Sequence, residues 1–236
     1  MQAFHNDPLI KEKYLTRLTA HYKADEIIKG RYWEDGKGCA IGCTIHSDNH
    51  EDYESELGIP TCLTYLQEGI FENLPNKLAK DFPLEFLSAI KVGADLKNVK
   101  NLFTIWLLTD TEYGVIQYVD NKKVIQDVAD ALVQDMVSSI SIEEWLKLKY
   151  NATAAAYSDS KYDVYSSYSA ATYSVAVAAY SDSKYDVYSS YSAAAYSVSS
   201  AVAAYYAAAA YSVSYAKSKW YIAASKKLIE LLKQTN

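Results

Sequence analysis

From Asn151 to the C-terminus the chain holds neither glycine nor proline, although eight glycines and four prolines punctuate what comes before. Both residues interrupt helices, so their absence over residues 151–236 predicts helix throughout that stretch. Tyr, Ser and Ala dominate it, and it carries an internal duplication. Residues 157–175 read YSDSKYDVYSSYSAATYSV, and residues 180–198 repeat them with Ala195 in place of Thr172. The repeat units are therefore 157–179 and 180–202. One straight helix does not suit this period, because at about 100° per residue successive copies would be rotated by about 140°. The Ser-Asp-Ser segments at 158–160 and 181–183 are natural breaks, since both residue types compete with helical backbone bonding. The expectation is a stack of short antiparallel helices, an α-solenoid or hairpin-like array.

Residues 1–150 read as a separate, mixed helical N-terminal domain, which makes the whole chain all-α. Asn6 or Asp7 can cap a first helix with Pro8 at its opening position, and Gly30 is its expected C-terminal cap. Residues 31–50 read as a loop. A short helix at about 50–57 is stopped by Gly58, and Pro60 opens another with Leu63, Leu66, Ile70, Phe71 and Leu74 as its apolar stripe. Pro83 is expected to start a third. Helices near 96–109 and 120–138 follow, and Ser141-Ile-Glu-Glu144 is a capping box. Tyr113–Val119 fits either a strand or a turn. A last helix at about 216–234 has Trp220, Leu228, Leu231 and Leu232 inward.

The net charge of −6 disfavours sequence-independent nucleic-acid binding. Three cysteines, Cys39, Cys43 and Cys62, fit a reducing compartment better than a disulfide scaffold. No signal peptide or membrane-length apolar run is visible, so a cytoplasmic protein with no membrane partner is expected.

Functional groups concentrate at 36–50. Cys39, Cys43, His46 and His50 are the residue types that hold zinc, although the Cys and His pairs lie closer together than finger-like sites place them. Small buried cysteines are the competing reading. His21 and Asp25, four apart on the first helix, could orient an imidazole toward a Cys43 or Cys39 thiol near His46. Lys37, Gly38 and Gly42 invite an anion-cradle reading, but Gly-Lys-Gly-Cys-Ala-Ile-Gly-Cys-Thr is no P-loop, and a compact turn explains its glycines. No catalytic signature appears. In the repeats, Tyr162, Tyr165 and Tyr168, with their copies Tyr185, Tyr188 and Tyr191, either pack between helices or form a partner-binding surface.

The stretch from His5 to Glu72 resembles an uncharacterised family of bacterial and phage-borne helical proteins. The resemblance lies in His21-x-x-x-Asp25, Gly30, Tyr32-Trp33, the Lys37–Thr44 loop and Tyr53-Glu54-x-Glu56-Leu57-Gly58-Ile59-Pro60. Members often end in Ala-rich helical tracts, which also occur in immunity proteins of toxin systems. The resemblance implies a folded intracellular protein and carries no activity. The leading expectation is a non-enzymatic factor that binds another protein, from the host or a second copy, as an inhibitor or immunity-type protein of a mobile element, with no cofactor. The alternatives are a small enzyme or a ligand- or metal-binding sensor using loop 36–50, and an oligomerising structural protein.

Overall fold

The computed structural model describes residues 2–49, 51–158 and 212–236. The repeat array, with Tyr162, Tyr165, Tyr168, Tyr185, Tyr188 and Tyr191, lies outside the described residues, as does His50. The fold is all-α. The helices are α1 (Pro8–Lys23), α2 (Ala40–Ile45), α3 (Asp52–Leu57), α4 (Thr61–Asn73), α5 (Asn76–Ala89), α6 (Val99–Thr109), α7 (Lys122–Asp135), α8 (Ile142–Ser158) and α9 (Val213–Gln234). The only sheet among the described residues is a hairpin of β1 (Trp33–Glu34) and β2 (Lys37–Gly38). No described helix is long and apolar enough to cross a membrane. The chain divides into two compact units, Met1–Lys100 with Ala224–Asn236, and Asn101–Ala223. The composition change at Asn151 falls inside α8.

In the first unit α1 packs against α2 and α5, and α4 against the same two helices. Asp7 caps α1, its carboxylate accepting from the Leu9 N–H at 2.8 Å, with Pro8 in the first turn. Tyr14 and Leu18, one turn apart, are buried. They join Phe4, Ile41, Tyr53, Leu57, Phe71, Phe82 and Phe86 among the unit's largest enclosed side chains. The C-terminal residues belong here too: Asp95 N–H donates to the Asn236 carbonyl at 3.1 Å, and Lys91 to that of Thr235 at 2.8 Å. In the second unit α7 packs against α8, and the Trp220 indole donates to the Tyr113 carbonyl at 3.2 Å.

Several expectations hold. Gly58 ends α3 with φ +64, the α4 stripe is buried throughout, and Ser141 Oγ accepts from the Glu144 N–H at 3.2 Å. The segment at 113–119 resolves as a 3-10 turn over Val115–Tyr118. Others need correction. The first helix stops at Lys23, six residues before Gly30 would act, because Asp25 itself takes a left-handed φ of +59. Pro83 lies inside α5, which starts at Asn76 behind Pro75. An internal proline removes one backbone hydrogen bond, and burial of Ala79, Phe82, Phe86 and Leu87 on the same helix offsets that cost. The stretch expected as a loop contains the hairpin and α2, all six of whose residues are buried. A cysteine serves as the cap here: Cys39 Sγ accepts from the Gly42 N–H at 3.4 Å.

Candidate functional site

After α1 the chain turns back and lays Glu26–Ile28 beside β2. Gly38 N–H donates to the Glu26 carbonyl at 3.1 Å, and Ile28 N–H to that of Gly38 at 2.8 Å. This clamp presents the Glu26 side chain to the last turn of α1. Glu26 Oε2 lies 2.6 Å from His21 Nδ1, and His21 Nε2 lies 2.7 Å from His46 Nε2. An ionised carboxylate only accepts, so His21 Nδ1 carries the proton. In neutral His21 the Nε2 lone pair then receives the N–H of His46.

His46 is fixed twice over. It is the left-handed C-cap of α2 (φ +57), with its N–H on the Gly42 carbonyl at 2.8 Å. Its ring also stacks on Trp33, with centroids 4.4 Å apart and planes within 11°. His21 meets Trp33 edge-on at 5.4 Å. The His21 side chain is 11 % exposed, whereas His46 faces solvent. Partial burial, and the nearby Arg17 and His21, push the His46 pKa below its ordinary value. The result is a carboxylate–imidazole–imidazole chain that ends at the surface.

The cysteines do not join it. Cys43 is buried, and its thiol points at the carbonyls of Gly38 (3.3 Å) and Glu26 (3.5 Å). Burial pushes its pKa up to about 12 and raises that of Cys39 further. A thiol so enclosed is a poor nucleophile at neutral pH. Among the described residues no group of three or more His, Cys, Asp or Glu converges on a metal position. The expected set of Cys39, Cys43, His46 and His50 is thus not assembled by its described members.

Asp25 does not orient His21 either. It lies beyond the helix end and pairs with Lys80. Lys37 is exposed on β2. Gly38 and Gly42 are glycines because a Cβ on either would overlap the Tyr32 carbonyl oxygen. Their neighbouring N–H groups are already bonded, Cys39 N to the Arg31 carbonyl and Cys43 N to that of Cys39, so no anion cradle is open. Sequence reasoning missed Glu26 and Trp33. Trp33 stands in the motif that carries the resemblance, but its contact with His46 depends on the hairpin register.

Two further features bear on function. Beneath α2, Glu68 is 5 % exposed, and burial pushes its pKa up to about 8. One of its oxygens, the Tyr53 and Thr64 hydroxyls and the Gln67 amide are buried without a partner in bonding geometry. In the second unit, Ile142, Leu146 and Tyr150 recur every fourth residue of α8 and are 43, 44 and 74 % exposed. That spacing puts them on one side of the helix. Val133 in the last turn of α7 and Val137 just beyond its end are exposed as well. No family model, curated protein or solved structure matches this chain.

Proposed function

We propose that this protein is a non-enzymatic binding factor that engages another protein through the second unit, as an inhibitor or immunity-type protein would. The observation that carries the reading is the solvent-facing row of Ile142, Leu146 and Tyr150 on α8. An amphipathic helix normally turns such a row inward, and an apolar row left outside marks a contact surface. Tyr150 suits that role, because a tyrosine gives large contact area at low entropic cost. The burial of Cys39 and Cys43 supports the non-enzymatic part, since it withdraws from solvent the thiols that the sequence offered as nucleophiles.

A photo-crosslinking residue at position 146 tests the proposal. Covalent capture of one discrete foreign protein, lost when Ile142 and Tyr150 become Glu, is the expected result. Crosslinks to a second copy of the chain would favour an oligomerising role instead. Crosslinks confined to the chain's own residues 159–211 would contradict the proposal. The second reading, a ligand- or metal-binding sensor at the 36–50 segment, is favoured by the exposed end of the Glu26–His21–His46 chain.

A further inference from the structure

We infer that His21 and His46 form an open, two-imidazole site for one divalent transition-metal ion of the nickel, copper or zinc type. This deepens the sensor reading and does not depend on the contact proposed for α8. Two Nε2 atoms from separate elements, the last turn of α1 and the C-cap of α2, face each other at 2.7 Å. Two imidazole nitrogens bound to one ion at about 2.0–2.1 Å sit about 2.9 Å apart at a right angle and about 3.4 Å apart in a tetrahedron. Binding therefore needs the pair to open by a few tenths of an ångström, least for the square geometry that nickel and copper prefer, and each ring to turn so that its lone pair, now aimed at the other ring with centroids 4.9 Å apart, points to the ion.

The surroundings suit such an ion. His21 Nδ1 is held by the Glu26 carboxylate at 2.6 Å, the support that metal-binding histidines ordinarily have. It fixes the tautomer that leaves Nε2 free to donate its lone pair. His46 offers its own Nε2 lone pair once its proton moves to Nδ1, an exchange that water permits at an exposed ring. Stacking on Trp33 and the left-handed cap hold that ring in place before any ion arrives. Glu26 and Glu56 supply negative charge nearby and Arg17 opposes it, while Arg17 is itself engaged with the Thr44 carbonyl at 3.0 Å. Solvent at the exposed face completes the coordination. The site shares only His46 with the Cys/His set expected from the sequence.

Calorimetric titration of the intact protein with nickel chloride, repeated with zinc chloride, tests the inference. One equivalent should bind. His21→Asn and His46→Asn should each weaken binding at least about tenfold, and Glu26→Gln, which keeps both imidazoles, by about tenfold. Nickel should also quench indole emission in the native protein, and Trp33→Phe should remove that quenching. Absence of binding by the native protein would overturn the site. So would undiminished affinity in a folded His21→Asn or His46→Asn variant. Neither result touches the α8 contact, whose crosslinking assay contains no metal.

Discussion

At the scale of single residues, the sharpest consequences come from groups whose surroundings contradict their chemistry. Glu68 is an acid enclosed where its charge is unwelcome, so the folded state holds its proton up to about pH 8, whereas an unfolded chain releases it near 4.5. The folded state thus binds more protons than the unfolded state across that window, and stability falls as pH rises through it. Below pH 4.5 the penalty vanishes, and above pH 8 it is complete. Glu68→Met should abolish this slope and stabilise the protein at pH 9 by about 3–5 kcal/mol, at roughly 1.36 kcal/mol per pKa unit. Urea unfolding of both proteins from pH 4.5 to 9 measures it. Gly42 gives the opposite case. Its missing Cβ is what lets the Tyr32 carbonyl approach, so Gly42→Ala should destabilise by about 3 kcal/mol, the upper end of overpacking costs. A smaller loss of midpoint, with an unchanged urea slope, would mean that the hairpin relaxes at low cost.

At the scale of elements, the signals that were legible in the sequence are the local ones. Pro8 behind Asp7, Gly58 after α3, Pro60 before α4 and the Ser141 box each act within a turn of themselves, and each does what its chemistry dictates. Asp7→Ala should therefore cost about 1 kcal/mol, the usual value of a lost N-cap, read as a lower thermal midpoint. The signals that misled depend on distant partners. Pro83 reads as a helix start until the burial of Ala79 and Phe82 on the preceding turn is known. The Ala-Ile-Gly-Cys-Thr-Ile segment reads as part of a loop because six residues carry too little periodicity to declare a helix. That helix exists because the core encloses it. The candidate site failed in the same way. His21 and His46 were singled out from their types, but the carboxylate that holds His21 is Glu26, not Asp25, because α1 ends two residues before the expected i, i+4 pair could form.

At the scale of the whole molecule, the first unit is closed by both ends of the chain: Ala224–Asn236 belong with Met1–Lys100. Leu228 and Leu232 are buried, and the last carbonyls take hydrogen bonds from Lys91 and Asp95. A chain truncated after Ala223 should lose the cooperative unfolding of this unit, and a peptide of residues 224–236 added in trans should restore part of it. Near-ultraviolet circular dichroism through a thermal scan reads both effects. The second unit bears the exposed α8 row, on which the claim that this protein works by contact rests. Hydroxyl-radical footprinting of the intact protein, alone and in complex with the protein captured at position 146, tests that claim most directly. The account predicts that Ile142, Leu146 and Tyr150 are modified in the free chain and shielded in the complex. Unchanged modification of these three, with shielding of Trp33 and His46 instead, would contradict it.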